Sequence, residues 1–86
     1  MTAKRKPAKP NTIHFNTVEF YRVHRQMPRG TALWVFYFVN APEEPWIAGQ
    51  KENKLWPMTY TLAKSLATLE AQQRRVNSVR VDPQPL

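Results

Sequence analysis

The chain has 86 residues, 42% of them hydrophobic and 22% charged, and it contains no cysteine. These values fit one small domain that folds without disulfides or a cysteine-built metal site, and they exclude a multidomain enzyme. Thirteen Lys and Arg against six Asp and Glu give +7; Lys4, Arg5, Lys6 and Lys9 supply four of these charges ahead of any acid, which leaves +3 for residues 12–86.

Residues 1–11 combine those four cations with Pro7 and Pro10. Proline removes backbone donors, like charges repel, and nothing adjacent is apolar enough to fold onto, so the sequence predicts a disordered basic tail. The basic start runs into Asn11, Thr12 and polar residues, not into an apolar stretch, so it does not read as a secretory signal. The longest apolar run, Ala32 to Val39, is eight residues, where a bilayer span needs about 20. No membrane association is expected. The absence of cysteine fits a reducing compartment, and the expectation is a cytoplasmic protein.

Thr17 to Arg25 is dense in β-branched and aromatic residues and reads as a strand, with Ile13 its earliest start. Leu33 to Val39 reads as a second strand. Between them Pro28 presets one turn residue and Gly30 accepts positive φ, so the pair is expected to form an antiparallel hairpin. Both faces of the second strand are apolar: Trp34, Phe36 and Phe38 on one side, Leu33, Val35, Tyr37 and Val39 on the other. That pattern marks a central strand, with one face on a helix and the other covered by chain segments, a second subunit or a ligand.

Ala41-Pro-Glu-Glu-Pro45 reads as a loop, Trp46-Ile-Ala-Gly49 as a short third strand, and Gln50 to Lys54 as a polar turn. From Thr59, a candidate N-cap, Leu62, Ala63, Leu66, Ala67, Leu69 and Val76 recur at spacings of three and four, which predicts an amphipathic helix of about four turns. Arg74 and Arg75 suit the negative end of its dipole, and Asn77 can take the left-handed conformation that ends it. The face carrying Leu62, Leu66 and Leu69 is expected to lie on the sheet. Ser78 to Val81 reads as an edge strand, and Asp82 to Leu86 as a flexible tail with two prolines. The predicted fold is therefore α+β. Residues 12–81 form a small antiparallel sheet of about three strands, including the N-terminal hairpin, packed on one C-terminal helix.

Catalytic machinery is not visible. His14 and His24 stand alone, Glu43-Glu44 sits between prolines, and two glycines cannot build a phosphate-cradling loop. Neither an enzyme nor a metal or cofactor is expected. The basic residues carry more: the tail cations Lys4, Arg5, Lys6 and Lys9, then Arg22, Arg25 and Arg29, with Arg74 and Arg75 at the helix end, form the footprint of backbone contact with DNA or RNA. On a strand, Arg22 and Arg25 have opposite parity and point to different faces. Trp34, Phe36 and Phe38 could stack on unpaired bases, but in so small a domain three large side chains on a central strand read first as core.

Tyr21-Arg22-Val23, Trp34-Val35, Trp46-Ile47-Ala48-Gly49 and the alanine-bearing helix from Thr59 give an order of elements over residues 20–72. It resembles the DNA-binding domains of plant regulators and phage integrases that lay a three-stranded sheet in the major groove and back it with a helix. The resemblance implies an architecture, and no residue's role is taken from it. Two functions stay open at this point. One is a small basic nucleic-acid-binding accessory protein. The other is a protein-binding module, such as a phage or mobile-element inhibitor that occupies a host protein, with a homodimer through the uncovered sheet face as a further way to bury that surface.

Overall fold

The computed structural model describes residues 12–52 and 54–86; the expected tail at 1–11 lies outside them. The described chain is a small α+β fold with two helices, a mixed four-stranded sheet and a separate two-stranded sheet. Its elements are β1 (His14–Asn16), α1 (Val18–His24), β2 (Thr31–Ala32), β3 (Val35–Phe38), β4 (Ala41–Ile47), β5 (Met58–Thr59), α2 (Tyr60–Arg74) and β6 (Ser78–Val81). The main sheet has the order β1-β6-β3-β4, with β1 parallel to β6 and the other neighbours antiparallel.

The expected strand over 17–25 is helix α1, so the hairpin between it and 33–39 does not form, nor does the three-stranded order shared with the DNA-binding domains named above. The reason is local. Asn16 Oδ1 accepts the Val18 N–H at 3.0 Å and turns the chain out of β1. The Asn side chain thereby satisfies one of the four backbone donors that a helix start leaves unpaired. Glu19 lies in the first turn and Arg22 and His24 in the last, each at the favoured end of the helix dipole. Arg25 closes the helix in the left-handed conformation, its N–H donating to Tyr21 O at 2.7 Å. Phe20, four residues before His24, is the buried anchor of α1 and stacks on Trp34 with ring centroids 5.7 Å apart.

The hairpin that does form joins β3 to β4, pairing Val35 with Ile47, Phe36 with Trp46 and Phe38 with Ala41 across an irregular register. Residues 41–45, expected as a loop, are thus the first part of β4, and the expected short strand 46–49 is its end. Pro42 and Pro45 are tolerated because β4 is an edge strand, where missing N–H donors break no ladder. The Pro28–Gly30 turn leads instead into β2, which pairs with β5. The indole of Trp34 ties these segments together, donating to Gly30 O at 3.2 Å and Met58 O at 3.1 Å.

Thr59 caps α2 as expected, its hydroxyl accepting the Leu62 N–H at 3.2 Å. The left-handed residue at the far end is Arg75, not Asn77. The buried face is also not the leucine one: Ala63, Ala67 and Ala71 are fully buried, while Leu62 and Leu69 are 51% and 56% exposed. Large rings on the sheet explain the exchange. Phe36 and Phe38 project into the same core as the three alanines, and small side chains let a helix approach a surface already filled by aromatic ones.

Ser78–Val81 is a strand, but a central one, with Val79 and Val81 buried beside Phe38 and Phe36. Residues 82–86, expected as a flexible tail, run on beside the start of β3: Asp82 N–H donates to Val35 O and Leu86 N–H to Leu33 O, both at 3.0 Å. No helix among the described residues is long and apolar enough to cross a membrane.

Candidate nucleic-acid interface

Helical geometry changes the placement of the predicted arginines. On α1, Val18, Tyr21 and Arg22 follow one another at spacings of three and one, which puts them on one face, away from the buried Phe20, and Arg25 follows as the left-handed cap of the helix. All four are exposed. Arg22 Nη1 lies 3.1 Å from Glu19 Oε2, with both side chains well exposed, a pairing too solvated to hold the guanidinium away from a stronger anion. Arg29, also exposed, follows in the loop that leaves α1. The result is an exposed basic surface at the C-terminal end of α1 with an aromatic residue in it.

The back of α1 is fixed from below. The His24 ring stacks on Phe20 with centroids 4.2 Å apart, and its Nε2 is hydrogen-bonded to Pro83 O. The C-terminal segment therefore clamps the helix that carries this surface.

Arg74 and Arg75 do not join this surface. Arg74 stacks 4.3 Å from the centroid of Phe38, binds Glu70 Oε2 at 2.8 Å through Nε and reaches Asn40 Oδ1 at 3.4 Å. It stands at the Phe38 end of β3, whereas Phe20 of α1 packs on Trp34, just before the Val35 end. Its partners make it a residue that holds the α2 terminus on the sheet. Arg75 is exposed beside it. Lys4, Arg5, Lys6 and Lys9 fall outside the described residues.

The sheet face away from α2 carries a second group that the sequence reading did not select. Phe15, Val79 and Phe38 are register partners in the core. Strand alternation then places Asn16, Arg80 and Tyr37, partners in the adjacent row, on the opposite face. The Arg80 guanidinium lies 4.3 Å over the Tyr37 ring, and its Nη2 reaches Pro42 O at 3.5 Å. A shallow depression beside it is lined by Tyr37, Phe38, Val39, Pro42, Ser78 and Arg80. Loss of water around the Tyr37 phenol, together with the facing Asp82 carboxylate, raises its pKa; Arg80 opposes this. The phenol is thus held as a neutral donor at ordinary pH. The signal was present in Ser78-Val-Arg-Val81: once Val79 and Val81 point inward, Arg80 must point outward.

Trp34, Phe36 and Phe38 are core residues, none more than 2% exposed. They are closed to any ligand. Among the described residues no group of three or more His, Cys, Asp or Glu side chains is placed to hold a metal ion. No known protein family, curated protein or solved structure matches the chain.

Proposed function

We propose that this chain is a small, non-catalytic nucleic-acid-binding accessory protein. It would contact the backbone of DNA or RNA through the outer face of α1, the loop after it and the N-terminal cations. The observation that carries this reading is the exposed pair Tyr21 and Arg22 on one face of α1, followed by the exposed Arg25 cap and the exposed Arg29 in the loop after it. Guanidinium groups spaced along an exposed segment can engage successive phosphates, and an exposed tyrosine among them adds a stacking or hydrogen-bonding contact.

The charge distribution supports the same reading. Glu19 and Glu70 each pair with an arginine on their own helix. Glu43 and Glu44 lie on the edge strand β4, at the other end of the sheet from β1, the strand that leads into α1. The test is the salt dependence of binding to labelled oligonucleotides. Each phosphate neutralised on duplex DNA contributes about −0.9 to the log–log slope, so Lys4, Arg5, Lys6, Lys9, Arg22, Arg25 and Arg29 together give at most about −6. Replacing Arg22, Arg25 and Arg29 by Gln should weaken binding and flatten the slope by up to about 3. Unchanged affinity and slope would reject this interface.

A second reading, a module that occupies a host protein, is favoured by the exposed leucines of α2. Leu62 and Leu69 on the outer side of a helix whose alanines face inward are an unusual use of large apolar residues. Nuclease-resistant recovery of one stoichiometric protein partner, with no DNA or RNA binding at physiological salt, would select this reading over the first.

A further inference from the structure

We propose that the sheet face opposite α2 is a platform for unpaired bases, so that the nucleic acid bound is single-stranded, with Tyr37 and Arg80 as the stacking pair. This inference rests on the nucleic-acid reading above and adds the substrate class.

Four observations carry it. β6 and β3 are the two central strands of the sheet, and Arg80 and Tyr37 are direct register partners on them. Both side chains are half-buried, with the guanidinium carbon 4.3 Å from the ring centroid. This arrangement holds two flat groups ready while leaving the layer accessible from outside. Asn16 on β1 extends the row, and Ser78 with His14 forms the next one. These supply hydrogen-bonding groups around the stacking pair, with the exposed Val39 beside them as apolar surface. Finally, the helices do not cover this face, because the buried anchors of both, Phe20 and the three alanines, belong to the core on the other side.

The geometry selects a single strand over a duplex. Paired bases already stack on each other, and their edges lie at the bottom of grooves. Asn16, Ser78 and a tyrosine sunk into the sheet are too short to reach there. An unpaired base can instead lie flat on the ring or the guanidinium, the mode by which open sheet faces read single strands. Arg80 then holds a phosphate or a base through its free N–H groups. The Asp82 carboxylate disfavours phosphate next to the phenol, so the backbone is directed toward the Arg80, Ser78 and His14 side. Strand addition at the neighbouring β4 edge is blocked by Pro42 and Pro45 and by Glu43 and Glu44, which leaves the face, not the edge, as the surface for a ligand.

The experiment compares the full chain with Tyr37→Leu, Tyr37→Phe and Arg80→Gln. Their binding to fluorescein-labelled single-stranded DNA and RNA oligonucleotides and to a duplex of the same length is measured at one low salt concentration, with thermal melts confirming that each variant is folded. Loss of one stacked base should weaken single-strand binding at least about fivefold for Tyr37→Leu, with duplex binding unchanged. Tyr37→Phe, which keeps the ring, should bind like the parent and guards against a purely structural effect. Equal weakening toward single strand and duplex, or a folded Tyr37→Leu variant with parental single-strand affinity, would overturn the platform while leaving the α1 interface standing. Absence of binding to every oligonucleotide would overturn both.

Discussion

Exchanging the two faces of α2 separates the structure from the more obvious pattern of its sequence. Ala67 is fully buried at the centre of the helix, against a core that includes Phe36 and Phe38. Ala67→Leu forces extra carbons into a filled site, and overpacking of this kind costs about 1–3 kcal/mol. Leu69 is 56% exposed. Truncating it to Ala removes mostly wet surface and leaves a residue of slightly better helix propensity, so the change should stay within about 0.5 kcal/mol. Were the leucines inside, Leu69→Ala would instead cost about 2–5 kcal/mol. At roughly 4–8 °C per kcal/mol for a domain of this size, Ala67→Leu should lower Tm by at least about 4 °C and Leu69→Ala by less than about 4 °C. Thermal melts followed by circular dichroism at several protein concentrations make the comparison. A Leu69→Ala variant that melts like a core deletion at every concentration would refute the placement of α2. A deficit that grows as the protein is concentrated would instead mean that a second copy covers the leucine face.

Trp34→Phe removes the N–H shared by Gly30 O and Met58 O; Gly30 O keeps the Tyr60 N–H at 3.0 Å, but Met58 O loses this donor. Denaturant titration should show a loss of at least roughly 1–3 kcal/mol, and an unchanged midpoint would mean the indole does not hold these loops. Gly30 and Gly49 both have positive φ, +87° and +83°, so alanine costs roughly 1–2 kcal/mol at either. An added Cβ at Gly49 also collides with the Met58 terminal methyl, so Gly49→Ala should be the worse variant and Met58→Ala should recover part of the difference; equal losses would argue against that contact. Burial holds the Tyr60 phenol above its ordinary value of 10.0. The unfolded chain therefore ionises first, and the stability present below pH 10 falls as pH rises above it. Tyr60→Phe should shift the alkaline unfolding midpoint upward, and coincident alkaline curves would contradict this. Treatment with EDTA should leave the far-ultraviolet spectrum unchanged, whereas a loss of structure would expose a metal requirement.

The parts of the fold that could be read from sequence are those set by strong local chemistry. Thr59 announces the start of α2 because a threonine before a run of helix formers has a backbone donor to satisfy. The central position of β3 follows from its two apolar faces, and it does lie between β6 and β4. Where the structure differs, local composition or periodicity is overruled by contacts it does not encode. Val18, Phe20, Tyr21 and Val23 have β propensity, but the Asn16 turn, the Glu19–Arg22 spacing and the Phe20–His24 pair all point to a helix. In a seven-residue segment those local contacts outweigh propensities that span only about 1 kcal/mol. The leucine stripe of α2 satisfied a periodicity test that cannot distinguish one apolar helix face from another. Only the sheet decides, because its own aromatic rings occupy the space that leucines would need.

The candidate site was legible as a set of residue types and not as an arrangement, and α1 shows why. Two arginines three residues apart face opposite sides of a strand and nearly the same side of a helix. The helix thus sets Arg22 beside Tyr21 on one exposed face, with Arg25 at its end, where a strand would send the two arginines to different sides. For β6 the difference runs the other way. Taken as an edge strand, Ser78–Val81 offered Arg80 no neighbour of consequence, whereas its place between β1 and β3 gives it Asn16 on one side and Tyr37 on the other. That order depends on a parallel pairing between residues more than sixty positions apart, a contact no local pattern encodes. The two candidate surfaces are nonetheless connected through the short C-terminal segment. The Asp82 carboxylate faces the Tyr37 phenol and Pro83 O is hydrogen-bonded to His24 Nε2, so residues directly after β6 lie beside both the sheet face and the back of α1. Changing Pro83 to Gly should loosen that link without removing a contact residue from either surface. Oligonucleotide affinity that falls for Pro83→Gly, at unchanged melting temperature, would mean that one ligand spans both surfaces. Parental affinity in a folded variant would make them independent.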